Sequence, residues 1–170
     1  MDRLILLLAR GCGLGLAPKA PGTVGSLGGF PLTVLLLVPG NFWIYLAGCV
    51  ALVPLSASIC GEAERILDRE DPGEVVFDEI IAVPMCFLSV FALMTFRGEG
   101  MPSVQSVLVM PWTCVWALAG FGLFRLFDIW KPGPIDHAQS LPKGWGVTMD
   151  DVLAGLLTGV ILGGVYYGLQ

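Results

Sequence analysis

Five carboxylates carry the first hint of chemistry in this sequence. Asp78-Glu79, Asp128 and Asp150-Asp151 come from three separate segments, and each group borders a long uncharged run. Carboxylates at the ends of apolar helices are costly to desolvate, and a function is the default reason for keeping them there. Hard oxygen donors suit Mg²⁺, Mn²⁺ or Ca²⁺ and not zinc, so Asp78, Glu79, Asp128, Asp150 and Asp151 are all candidate metal ligands. A competing explanation is helix-dipole stabilisation, because acids favour helix N-termini. It covers Asp78-Glu79 and Asp150-Asp151, each read as opening a helix. It fails for Asp128, read as closing one, where the dipole opposes an anion.

Cations stand beside the acids. In Phe124-Arg125-Leu126-Phe127-Asp128-Ile129-Trp130-Lys131-Pro132 the charges fall at i, i+3 and i+6, and residues three apart share a helix face. Arg125 can therefore pair with Asp128. Pro132 ends the helix, which leaves Lys131 at a helix-to-loop junction, free to reach a phosphate. The Gly-rich stretch from Gly11 to Gly29 matches neither a Walker A loop nor a dinucleotide fingerprint. Thr23 or Ser26 in it can cap a helix whose start could receive an anion, which makes both candidate phosphate-binding residues. His137 lies alone in a polar loop and reads as incidental. The five cysteines are scattered without a C-x-x-C pair, which speaks against a disulfide framework or a zinc site.

The elements that must position these groups are apolar helices. Of 170 residues, 55% are hydrophobic and 14% charged, against about 25% charged in an ordinary soluble domain. Length points to one domain over residues 1–170. The net charge of -5 argues against a nucleic-acid partner. No charge occurs between Lys19 and Glu62, a gap of 42 residues. A spanning helix needs about 20 apolar residues, so the gap fits two spans joined by the turn signal Pro39-Gly40-Asn41. The expected spans are 24–38, 42–60, 79–96, 106–127 and 151–169, the first short and Gly-rich, after a short N-terminal helix at Leu4–Ala9. The predicted fold is an all-α polytopic membrane bundle. Its Gly-rich spans also offer surfaces on which copies of the chain could pack.

Alternating spans place eight Lys/Arg on one side and Arg97 alone on the other. The positive-inside rule makes the first side cytoplasmic. All the acids but Glu99 share that side, so the active site is expected at the cytoplasmic helix ends.

Four blocks follow one another along the chain: Gly13-Leu14-Gly15-Leu16-Ala17-Pro18 with Ala20-Pro21-Gly22-Thr23-Val24-Gly25-Ser26-Leu27, then Asp78-Glu79, then Arg125-Leu126-Phe127-Asp128 with Lys131-Pro132-Gly133-Pro134-Ile135, and lastly Gly146-Val147-Thr148-Met149-Asp150-Asp151 with Ala154-Gly155. Together, and in this order, they resemble the phosphatidylglycerophosphatase A family. Ala82 and Lys143-Gly144 depart from the family's usual glycines without touching a charged site. The resemblance implies Mg²⁺-dependent (or Mn²⁺-dependent) conversion of phosphatidylglycerophosphate to phosphatidylglycerol and phosphate in a bacterial inner membrane. In that chemistry the catalytic set would be Asp78, Glu79, Asp128, Lys131 and Asp151, with Asp78 or Asp151 as general base and Arg125 and Lys131 on the phosphate. Direct water attack and an aspartyl-phosphate intermediate both remain open. Two rival classes are weighed. A CDP-alcohol phosphotransferase needs an acidic signature that is missing here. A cation transporter needs acids near the bilayer midplane on broken helices.

Overall fold

The computed structural model describes residues 1–170 and is helical throughout, without strands. A short helix α1 (Asp2–Ala9) leads through a tight turn of 3-10 helix (Gly11–Leu16) into α2 (Pro21–Leu27) and α3 (Gly29–Leu37). Then follow α4 (Phe42–Leu67), α5 (Phe77–Met85), α6 (Leu88–Phe96), α7 (Val104–Val109), α8 (Pro111–Trp130), α9 (Pro134–Ala138) and α10 (Trp145–Gly168). Four segments are long and apolar enough to cross a membrane: Phe42–Leu67, Phe77–Phe96, Pro111–Trp130 and Trp145–Gly168.

The expected first span, 24–38, is a shorter apolar pair of helices, Pro21–Leu37, divided at Gly28. It starts beside the acidic end of α5, where Gly22 and Gly25 lie against Glu79. It ends at the turn through Gly40 (φ +61°), after which Asn41 caps α4 by accepting from the Trp43 and Ile44 amides. The turn expected at residues 39–41 is therefore present.

Other boundaries shift for local reasons. The third span begins at Phe77 and is broken between Met85 and Leu88. Pro84 inside α5 has no N–H to give the Ile80 carbonyl, and beyond it the ladder tightens to three-residue bonds, the Pro84 carbonyl accepting from the Phe87 amide at 3.2 Å and from the Tyr45 hydroxyl at 2.7 Å. The expected 106–127 span divides into α7 and α8, because Pro111 opens a new helix after an extended Met110. The last helix starts at Trp145, six residues before the expected 151.

α10 is the hub, packed against α4, α5, α6, α8 and α9. Small residues make this possible: a side chain at Gly155 would meet the Ala82 carbonyl 2.7 Å away, and one at Gly159 the Met85 carbonyl at 3.0 Å. Such close backbone approach is how helices associate in lipid, where apolar surface alone drives nothing. The Ser56 and Thr148 hydroxyls pair at 3.0 Å between α4 and α10. At the same end, α1 is tied to the start of α5 through Val76 N–H to the Ala9 carbonyl (2.9 Å) and the Arg10–Glu74 ion pair (2.9 Å).

Candidate active site

The helix ends near residues 20, 78, 128 and 150 enclose one polar cavity of about 300 Å³. Asp78, Glu79, Arg125, Asp128, Lys131, Asp150 and Asp151 all line it. Two further participants, Asp71 and Gly22, were not singled out from sequence. All five acids proposed from sequence thus converge, together with both cations. Thr23 does not line the cavity, and Ser26 is buried behind Glu79.

Each group has a local reason for its place. Asp78 and Glu79 occupy the first turn of α5, where the helix dipole favours them, and the Glu79 amide donates to Asp78 Oδ1 at 3.0 Å. Asp150 and Asp151 are different. They sit at the sixth and seventh positions of α10, beyond the first turn in which the dipole acts. Capping, the competing explanation for this pair, therefore falls away.

Asp128 lies in the last turn of α8 and is compensated by Arg125, whose Nη1 is 2.6 Å from Asp128 Oδ2. The same nitrogen reaches Glu79 Oε1 at 3.1 Å and the Ser26 hydroxyl at 3.4 Å. Arg125 Nε is buried without a partner. Lys131 ends α8 in the left-handed region (φ 46°, ψ 59°), and Pro132 prevents the helix from continuing. That turn carries its ammonium to Asp150 Oδ2 at 2.7 Å, an oxygen that also accepts from Gln139 Nε2 at 3.0 Å. Partial burial works against the Lys131 charge. The hydrogen bond and attraction of Asp150, with Asp128 and Asp151 adding to it, prevail and raise its pKa.

α2 supplies a seat for Glu79. A Cβ on Gly22 would collide with Glu79 Oε1 and lie 3.0 Å from Oε2, and one on Gly25 would also lie 3.0 Å from Oε2. The Ser26 hydroxyl donates to the Gly22 carbonyl at 2.8 Å and rests 3.4 Å from Glu79 Oε2. The Gly-rich block thus serves the site through a missing side chain.

Three carboxylates at the cavity have no cation, and of these Asp71 alone is exposed. Asp78 and Asp151 are each only 4% exposed, line the cavity and take part in no ion pair, while Arg125 holds Glu79 and Asp128 and Lys131 holds Asp150. No three acidic, histidine or cysteine side chains are gathered at metal-holding spacing as the side chains stand. The electrostatics remain lopsided, with six carboxylates against Arg125 and Lys131. Unpaired charges in a poorly hydrated site are expensive, and an anionic phosphate adds to the excess. A hard divalent cation held by carboxylate oxygens would relieve it, so the donor set fits Mg²⁺ or Mn²⁺.

An apolar helical bundle with spanning helices and a cavity of carboxylates and cations at one end defines a membrane protein equipped for phosphate chemistry. The sequence model of phosphatidylglycerophosphatase A matches residues 7–166. A phosphatidylglycerophosphatase A of Haemophilus influenzae is 35% identical over 164 residues, covering 96% of this chain and 89% of that protein. One of Escherichia coli is 31% identical over 161 residues, covering 92% and 80%. A Bacteroides thetaiotaomicron protein, provisionally named a phosphatidylinositol-3-phosphatase, is 32% identical over 165 residues, covering 94% and 91%. No solved structure matches the chain. The chain belongs to the phosphatidylglycerophosphatase A family, and it is a phosphatase that hydrolyses a phosphomonoester.

Proposed function

We propose that this chain is a single membrane-embedded domain that converts phosphatidylglycerophosphate to phosphatidylglycerol and inorganic phosphate, with Mg²⁺ as cofactor, at the cytoplasmic face of a bacterial inner membrane. The observation that carries this reading is the convergence of six carboxylates, Arg125 and Lys131 in one cavity at the end of apolar helices. The names of its Haemophilus and Escherichia relatives supply the substrate. The excess of Lys and Arg on the loops at this end supplies the orientation, with Pro21–Leu37 counted as a fifth, short crossing. A transporter would keep its acids near the midplane, whereas these lie at helix ends.

In this reading Arg125 and Lys131 orient the phosphoryl oxygens and offset the charge that builds on them in the transition state. Asp78 and Asp151, the two buried carboxylates without a cation, would hold Mg²⁺, with Glu79, Asp128 and Asp150 as further oxygen donors. When bound, the ion would polarise the phosphoryl group and acidify a coordinated water. Whichever of Asp78 or Asp151 faces the attacking water takes its proton. A bond forms from the water oxygen to phosphorus, the ester P–O bond breaks, and the leaving glycerol oxygen takes the proton from the carboxyl group that had received it. Gln139 holds Asp150 in place beside Lys131.

Phosphate release by purified protein in mixed micelles tests the substrate. Phosphatidylglycerophosphate should be hydrolysed fastest, ahead of phosphatidic acid and phosphatidylinositol 3-phosphate. A preference for phosphatidylinositol 3-phosphate would move the reading to the chemistry in the name of the Bacteroides relative, and release from none of them would end it.

A further inference from the structure

Between the polar cavity and a second, apolar one, α2–α3 and α8 face each other along an apolar lane. On α8 the residues Ala117, Phe121, Arg125 and Asp128 recur at spacings of three and four, so they share one face. On α2 and α3 the residues Gly22, Ser26, Phe30 and Val34 recur at spacings of four. The two faces meet at matched levels. Arg125 reaches Ser26 at 3.4 Å, and one turn further the Phe30 and Phe121 rings stand 6.2 Å apart, centroid to centroid.

Beyond the rings, Phe30, Val34 and Ala117 line a second cavity of about 590 Å³ whose walls are mostly apolar. The backbones of α3 and α8 stay apart over this length, although α3 packs closely along α5. Phe30, Val34, Ala117 and Phe121 are each half-buried, as befits the walls of a groove that opens sideways. Its neighbours on the outer surface, Leu118 and Leu126, are exposed.

We propose that this α3–α8 lane is the binding track for an acyl chain of the lipid substrate, leading from the phosphate at Arg125 past Phe30 and Phe121 to Ala117 and Val34. The proposal rests on the lipid-phosphatase reading above. Its occupant follows from position: the lane starts at Arg125, part of the wall of the catalytic cavity, and the rest of it is apolar and leads to the second cavity. The length also agrees. At about 1.5 Å per residue, the 11 residues from Asp128 to Ala117 cover roughly 16 Å. That is about half of a 30 Å hydrocarbon core, the depth at which a chain of the near leaflet ends. A headgroup held by Arg125 and Lys131 thus places its chain ends at the mouth of the larger cavity.

The lane makes the enzyme sensitive to chain length. Ala117→Phe fills the far end of the track and leaves the polar cavity alone. The ratio of kcat/KM for dipalmitoyl over dihexanoyl phosphatidylglycerophosphate should fall about tenfold, roughly the effect of displacing two buried methylenes. Leu118→Phe, on the outer face, should leave the ratio unchanged. An unchanged ratio in Ala117→Phe, or an equal fall in Leu118→Phe, would overturn the lane.

A second readout needs no turnover. Phosphatidylglycerol with a diazirine at its chain end should label Phe30, Val34, Ala117 or Phe121 of the wild-type protein in preference to Leu118 and Leu126. Label spread evenly over the outward faces would mark bulk lipid only and would also overturn the proposal. If the wild type hydrolyses neither chain length, the functional reading fails, and the labelling still decides the lane.

Discussion

Replacing Gly22 by alanine isolates one contact in the site. The added Cβ would overlap Glu79 Oε1 and crowd Glu79 Cδ at 2.9 Å and Oε2 at 3.0 Å. Every crowded atom belongs to the end of a flexible side chain, so the backbone has no need to move. The carboxylate must retreat by roughly 1 Å, and misplacing a catalytic group by that much can cost about 10²-fold in rate. The same retreat stretches the 3.1 Å Arg125–Glu79 ion pair and leaves Arg125 to Asp128 alone.

Gly25→Ala is the informative control, because its Cβ would press on the Val76 Cβ at 2.5 Å. Val76 is branched and fully buried, and overpacking a rigid neighbour costs about 1–3 kcal/mol of stability. Gly22→Ala should therefore lose turnover by about 10²-fold with little change in Tm, and Gly25→Ala should lower Tm. Phosphate release in mixed micelles, paired with a thermal melt, reads both. Full turnover in Gly22→Ala would refute the idea that α2 seats Glu79. A large drop in its Tm would show that Gly22 serves packing instead.

Two further outcomes are expected. Lys131→Met should lower kcat by about 10²-fold or more while Mg²⁺ affinity stays near wild type, since Lys131 is assigned to transition-state charge; titration of Mg²⁺ against phosphate release separates the two. A single cysteine at position 70, in the exposed loop between α4 and α5, should resist an impermeant thiol reagent added outside intact cells and react in opened vesicles. Ready labelling from outside would invert the topology.

How far the sequence could be read depended on whether the signal was local. The Arg125–Asp128 pair was legible because three-residue spacing on a helix puts two side chains together, and they lie 2.6 Å apart. Lys131 was legible because a proline follows it. Asp150-Asp151 was recognised as important but placed wrongly, at a helix start. The uncharged run begins at Val152, whereas α10 continues back through Asp150, Thr148 and Gly146 to Trp145. The short first span shifts in the same way, to Pro21–Leu37. Its lack of charge suggested 24–38, and its division at Gly28 depends on packing against α5. Asp71 and Gln139 were missed because each looks like an ordinary loop residue. Only the tertiary fold brings Gln139 within 3.0 Å of Asp150. Ser26 was picked as a phosphate-binding residue, and the fold places it instead behind Glu79. No local pattern announces that Gly22 is needed for the space it leaves.

The proposal turns on Asp78 and Asp151, the buried carboxylates without a cation, holding a metal that the phosphatase reaction requires. The direct test is phosphate release from phosphatidylglycerophosphate by purified protein stripped with chelator and then titrated with Mg²⁺, for the wild type and for Asp151→Asn. The wild type should be silent in chelator and recover with Mg²⁺, and Asp151→Asn should stay silent at every Mg²⁺ concentration while still folded by thermal melt. Full release by the wild type in chelator, or wild-type release by Asp151→Asn, would contradict the account.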